Sequence, residues 1–250
     1  MKLAISGKGG VGKTLLSAML AKTLADRGYS VTAIDADPDA NLALTLGFPD
    51  ADRIIPVSEM KDLVAERTGT GQGLYFKINP RVDDIPEKYS VKHDNIRLLK
   101  MGMPKAAGAG CYCPENSVLA ALMAHLLLSP DEMVIMDMAA GIEHLNRGTA
   151  GAVDMLIIVV EPGVASIETA RRINKLARDI GIKRVAAVGN KVRSQEQDTF
   201  IHSELSGYEF LGAIPFDEAL TSAEIGHKSR LDASPAIIDA VKSILEKIVA

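Results

Sequence analysis

Apolar residues run along this chain in short unbroken blocks, separated by stretches of helical length. Blocks of strand length fall at Lys2–Ser6, Val31–Asp35, Ile96–Met101, Met133–Asp137, Met155–Val160, Arg184–Asn190 and Phe210–Ile214. Most are continuous rather than alternating, "MLIIVV" above all, as strands covered on both faces are. Between them, Lys13–Arg27 carries leucine at a four-residue step (Leu16, Leu20, Leu24), and Ser166–Ile180 reads as a helix opened by Ser166. The closing "DASPAIIDAVKSILEKIVA" predicts an amphipathic helix, with Asp232 or Ser234 as cap and Pro235 in the first turn. Alternation of this kind predicts an α/β fold: a doubly wound, mostly parallel sheet of seven or eight strands with helices on both faces.

One stretch interrupts the rhythm. From about residue 56 to 95 there is a single helical segment, Val57–Arg67, then "TGTGQG" and a polar, Pro-punctuated excursion, which reads as an elaborated insertion. No linker or repeat divides the rest, so residues 1–250 are expected to form one domain, large enough to bury a substantial core.

Composition narrows the function classes. A formal charge of −4 lacks the basic excess of a general nucleic-acid binder. No apolar run approaches the eighteen or so residues of a membrane span, and no charged leader precedes the first strand. A cytoplasmic protein acting on neither nucleic acid nor membrane is the expectation. With 2 cysteines the chain is no disulfide scaffold.

The sharpest chemical signal is "GKGGVGKT", directly after the first strand. Gly7, Gly12, Lys13 and Thr14 fit the phosphate-loop pattern G-x-x-x-x-G-K-[ST]. Glycines let successive backbone N–H groups converge on phosphate oxygens, and the following helix aims its positive end at the same anion. Lys13 would bridge the terminal phosphates of ATP, and the Thr14 hydroxyl would ligate Mg²⁺. Residues 7–15, through Gly9, Gly10, Val11 and Leu15, would form the cradle. A second lysine at its front edge, Lys8, has no phosphate of its own in this scheme.

The string Lys8-Gly9-Gly10-Val11-Gly12-Lys13-Thr14 resembles the deviant Walker A signature of the P-loop NTPase family containing MinD, ParA and the nitrogenase iron protein. In that family the leading lysine reaches across a face-to-face homodimer to the partner's nucleotide, which implies that Lys8 serves the other subunit. The resemblance extends in order along the chain. "AIDADPDAN" corresponds to switch I, with Asp37 in the position that orients the attacking water and Asn41 where the iron protein has aspartate. "VIMDMAAGIEH" is similar to Walker B with switch II, which implies that Asp137 holds the Mg²⁺ shell and Gly141 offers its amide to the γ-phosphate. The catalytic set is then Lys8, Lys13, Asp37 and Asp137. At two later strand ends, Asn190 with Lys191, and Pro215, Phe216 and Asp217, are implied to embrace the adenine, Asn190 through its amide.

Cys111 and Cys113 in "AGAGCYCPEN" stand one residue apart, so in extended backbone both sulfurs face one way. A bridge across one residue would be strained, whereas thiolates suit Zn²⁺, Ni²⁺ or Cu⁺. Tetrahedral sites want four ligands and one chain supplies half of them. The dimer implied by Lys8 would bring two such pairs to its axis. Packing as small hydrophobes is the plain alternative. A phosphate loop of this type with C-x-C, together with "CYCPENS", "MDMAAGIEHLNRGTA", "AVDMLIIVVEP" and "NKVRS", is similar to the CooC-type accessory ATPases that deliver nickel to carbon monoxide dehydrogenase and to AcsF-type proteins serving acetyl-CoA synthase.

The resemblance thus implies a homodimeric, Mg²⁺-dependent ATP hydrolase that handles nickel, or zinc in a purified sample, for one of these client enzymes. A MinD- or ParA-like positioning ATPase and an electron-transfer reductase are the competing readings. The first needs a basic face or anchoring helix, the second well-separated cysteines. His144 reads as a solvated helix-start residue or an auxiliary ligand, His125 as core edge or interface, and Met101 and Met103 as gap fillers or soft ligands.

Overall fold

In the computed structural model, which describes residues 1–37, 39–69, 76–102, 114–125, 132–142, 145, 151, 153–220 and 234–250, the apolar blocks become strands of one sheet. These are β1 (Lys2–Gly7), β2 (Ser30–Ala36), β3 (Val91–His93), β4 (Ile96–Lys100), β5 (Glu132–Met138), β6 (Met155–Val160), β7 (Val185–Val192) and β8 (Glu209–Pro215). Their order across the 8-stranded sheet is β3-β4-β2-β5-β1-β6-β7-β8, parallel throughout except that β3 runs antiparallel to β4. Parallel pairing requires a crossover between strands, which is why helices cover both faces.

The pleat sorts the core into two layers. Leu3, Ile5, Ile135, Ile157 and Val159 point to one side, where α1 (Lys13–Asp26), the short α2 (Leu42–Thr45) and α8 (Pro235–Val249) pack. Ala4, Met136, Leu156 and Ile158 point to the other, where α3 (Lys61–Thr68), α5 (Pro114–His125), α6 (Val164–Ile180) and α7 (Gln195–Glu204) lie. Leu16, Leu20 and Leu24 of α1 are fully buried, as their four-residue step requires. Each such burial contributes about 1.5–3 kcal/mol before chain entropy is subtracted. The apolar face of α8 (Ile237, Val241, Ile244, Leu245, Ile248) is likewise spent on the core.

Three local expectations change. The Val57–Arg67 helix is two pieces: a 3₁₀ turn at Val57–Glu59, a break at Met60, then α3. Ser58 N–H bonds to the carbonyl of Met101 at 2.9 Å, so the first turn is docked on the end of β4 instead of continuing into α3. The insertion also supplies sheet edge β3, too short to register as an apolar run, and a four-residue α4 (Ile85–Lys88). Arg67 pins it by bonding Asp84 at 2.8 Å. Helix α6 starts at Val164, before Ser166, whose buried hydroxyl instead accepts the N–H of Glu161 at 3.1 Å. At α8 Ser234 is the cap position and Pro235 the first residue, while Asp232 and residues 70–75 lie outside the described residues.

Strand β1 has β5 on one side and β6 on the other, while the chain leaves it for β2 beyond β5. Such a reversal of strand order opens a crevice at the carboxyl ends of the strands, where ligands bind.

Candidate nucleotide-binding site

The loop from Gly7 to Gly12 leaves β1 at this crevice. Gly7 sits at φ 152°, and a Cβ there would come within 2.4 Å of the Val159 carbonyl, so only glycine fits between β1 and β6. Val11 is buried and anchors the loop from beneath, whereas Gly9 and Gly10 face the cavity. Gly12 takes φ 94° at the start of α1, against the side chain of Asn190. The first turn of α1 contains no acidic residue, so its positive end is left for an external anion. Lys13 is nearly buried, with Nζ lying 3.4 Å from the Lys8 carbonyl.

The resulting cavity has a volume of about 800 Å³. Gly12, Lys13, Thr14 and Leu15 form its floor, with Asp37, Asp39 and Asn41 along one wall and Ala139 and Ala140 near the phosphate end. Its far end is closed by Asn190, Lys191, Pro215, Phe216, Asp217 and Leu220. Size and shape suit a small ligand with a phosphate tail at the loop and a ring at the far end.

Two buried carboxylates underlie the phosphate end. Asp35 of β2 and Asp137 of β5 are register partners, both fully buried. Burial, reinforced by the charge of Asp37, pushes the Asp35 carboxyl up to about 6, although the N–H groups of Leu42 and Asp37 and the charge of Lys100 oppose this. Burial, with Asp35 and Asp37 adding like charge, pushes Asp137 up to about 7 against the Thr14 hydroxyl and Lys13. The hydroxyl of Ser17 donates to Asp137 Oδ1 at 3.2 Å, but Oδ2 is buried without a hydrogen-bond partner. A buried, orphaned carboxylate oxygen beside Thr14 is an oxygen donor set of the kind a hydrated Mg²⁺ uses, so these residues fit that ion.

The ring end is chemically biased. Asn190 donates its amide N–H to the Val11 carbonyl at 2.6 Å, because a carbonyl accepts only from the NH₂ side. What remains to read a base edge is its acceptor oxygen and its second N–H, a pair suited to an exocyclic amine beside a ring nitrogen. Arg193 stacks 3.4 Å above the Phe216 ring, which stiffens that wall. Asp217 accepts the Ala219 N–H at 2.8 Å, and its carboxyl is held below the usual range by the Ser234 hydroxyl and that N–H.

Residues 2–230 match the family model described as the CobQ/CobB/MinD/ParA nucleotide binding domain. The chain belongs to this family. It is 48% identical to the carbon monoxide dehydrogenase accessory protein CooC of Rhodospirillum rubrum, over 98% of this chain and 95% of that one. Among solved structures, the MinD cell division protein of Aquifex aeolicus aligns with a TM-score of 0.71 at 22% identity, covering 99% of this chain and 96% of that one. A MinD complexed with Mg-ADP from Pyrococcus horikoshii aligns at 0.69 and 17% identity, covering 99% and 95%. These structures share the fold of a MinD/ParA P-loop protein.

Within this family member, the phosphate-loop residues, Asp37, Asn190, Lys191 and Pro215–Asp217 are brought to one cavity, while Gly7, Val11 and Asp137 support it from beneath. Lys8 does not line the cavity. Its side chain stands at the rim, 43% exposed, with Nζ 3.9 Å from Glu161. The carbonyl of Gly141 accepts the Ser6 hydroxyl at 2.5 Å. Met101 is buried as a core filler, and His125 is exposed in the last turn of α5 rather than at the core edge. Cys111, Cys113, Met103 and His144 lie outside the described residues. Among the described residues no cluster of three or more His, Cys, Asp or Glu could hold a metal, and no helix is long and apolar enough to cross a membrane. Sequence reading missed Ser17, Asp39, Glu161, Arg193 and Leu220. For Ser17 there was a signal, a hydroxyl one turn after Lys13 on the same helix face.

Proposed function

We propose that this chain is an ATP hydrolase that works as a nucleotide-dependent homodimer and assists nickel insertion into carbon monoxide dehydrogenase. The observation that carries the reading is Lys8. It belongs to the phosphate-loop signature yet stands at the rim instead of in its own cavity, as a residue serving a partner's nucleotide should. The 48% identity to CooC across both chains supports the choice of client, with acetyl-CoA synthase as the alternative. A MinD-like membrane role finds no support in α8, whose apolar face is buried in the core.

In this reading the loop amides and the N-terminus of α1 hold the phosphates, and Lys13 swings from the Lys8 carbonyl onto the β- and γ-phosphates. Mg²⁺, held by Thr14 and through its water shell by Asp137, would draw charge from the phosphates when bound. Asp37 orients a water in line with the γ-phosphorus. Its oxygen bonds to phosphorus as the bridge to ADP breaks, and the water's proton leaves with the products. Lys8 of each protomer neutralises charge that develops in the other's site. The acceptor oxygen and second N–H left on Asn190 suit the amine and adjacent ring nitrogen of adenine, whereas guanine offers two acceptors along that edge. Loss of γ-phosphate releases the Asp37 and Asp137 segments. That release moves the cargo only if the two dimer states hold nickel unequally. Cys111 and Cys113 from both protomers would supply four thiolates for it.

Equilibrium dialysis of Ni²⁺ against the wild type and a Cys111→Ser/Cys113→Ser double variant tests the cargo assignment. The wild type should take up one ion per two chains and the variant none at that affinity. Equal uptake by both would end the nickel assignment and leave the ATPase reading standing.

A further inference from the structure

Glu161 follows directly on β6, between the end of β1 that launches the phosphate loop and the end of β7 that carries Lys191. Its backbone is fixed by the bond from its N–H to the buried Ser166 hydroxyl at 3.1 Å. Its carboxylate is shared by two lysines: Oε1 lies 3.9 Å from Lys8 Nζ and Oε2 3.6 Å from Lys191 Nζ. Lys191 Nζ also donates to the Gly10 carbonyl at 2.6 Å. One acidic side chain thus ties the front of the phosphate loop to the ends of two neighbouring strands.

The backbone of Lys191 indicates that this arrangement is imposed rather than incidental. It adopts φ 58°, a left-handed conformation that a residue with a Cβ avoids unless its surroundings demand it. That conformation lets the amine return to Gly10 and Glu161.

We propose that Glu161 is a positioning residue that holds Lys8 at the rim of its own protomer until a partner's nucleotide draws it away. The inference rests on the reading that Lys8 acts across the dimer. Glu161 then sets how readily the nucleotide-bound dimer forms. The strength of the contact suits a latch. The pair is long and partly solvent-exposed, and pairs of that kind bias an equilibrium by a factor of about two to five. A polyphosphate carries several negative charges against the single charge of Glu161, so it outcompetes the latch. Lys191 makes the departure inexpensive, because Glu161 keeps a counter-ion when Lys8 leaves. Without Lys191 the crossing of Lys8 would strand a carboxylate beside incoming phosphates.

Dimerisation with Mg²⁺ and a slowly hydrolysed ATP analogue is measured by light scattering against protein concentration, for the wild type, Glu161→Gln, Glu161→Ala and Lys8→Ala. ADP binding is measured on the same proteins at concentrations where they are single chains. Both Glu161 variants should reach half-dimer at two- to five-fold lower protein concentration than the wild type, and the difference should shrink in high salt. Their ADP affinity should stay within a factor of about two, since a residue that merely braced the loop would weaken ADP binding on removal. Unchanged or weaker dimerisation of both Glu161 variants, with Lys8→Ala still failing to dimerise, would overturn the latch and leave the trans role of Lys8 intact. Normal dimerisation by Lys8→Ala would overturn both.

Discussion

Asp35 and Asp137 face each other across β2 and β5 with no exposure, and the ligand-free protein bears the cost of charging them. Both carboxyls are raised, to about 6 and about 7, so the folded chain holds their protons more tightly than the unfolded chain does. The stability this provides is complete below the ordinary carboxylate range and is lost as pH rises through these folded values. Thermal melts of ligand-free protein should therefore fall in midpoint between about pH 5 and pH 8, and Mg²⁺ with nucleotide should reverse the fall by giving the orphaned Asp137 oxygen a partner in the ion's water shell. Asp137→Asn should melt higher than the wild type at pH 8, lose that advantage at pH 5, and hydrolyse ATP about ten- to a hundred-fold more slowly. A flat pH profile for ligand-free wild type would contradict this. At the same scale, the phosphate cradle was legible because its residues are contiguous and Gly7, Gly10 and Gly12 take backbone angles that favour glycine. Glu161 and Arg193 were not, since only the folded sheet carries them to the loop and to Phe216.

Helix α1 links the core to the cavity: its first residues line the cavity and its leucines fill the layer shared with α8. Leu20→Ala removes a fully buried side chain from that layer and should cost about 2–5 kcal/mol in denaturant unfolding. A loss below about 1 kcal/mol would mean that α1 is packed more loosely than its burial indicates. Elements such as α1 and the seven longer strands were readable because a buried parallel strand must be continuously apolar and its covering helix must repeat near every four residues. The remainder depended on tertiary contacts. Strand β3 has three residues and no run to detect, and its pairing with β4 makes it a strand. The helix expected over Val57–Arg67 breaks because Ser58 bonds to Met101, over forty positions away. The start of α6 lies before Ser166, whose hydroxyl serves Glu161 rather than a helix end.

At the scale of the molecule, both proposed centres need a second copy. The nucleotide cavity is assembled in one chain, but the signature lysine stands outside it, and the chain carries only 2 thiols toward a four-ligand site. A twofold partner would complete both at once, and the chain's modest formal charge of −4 would oppose such pairing only weakly. Every later step, from charge neutralisation by Lys8 to release of nickel, presupposes that partner. The most direct measurement is the solution mass of the wild type and Lys8→Ala at saturating Mg²⁺ and a slowly hydrolysed ATP analogue, with ADP as the control. The wild type should double its mass with the triphosphate analogue, and Lys8→Ala should stay a single chain while still binding nucleotide. A wild type that remains a single chain under those conditions would contradict the central claim.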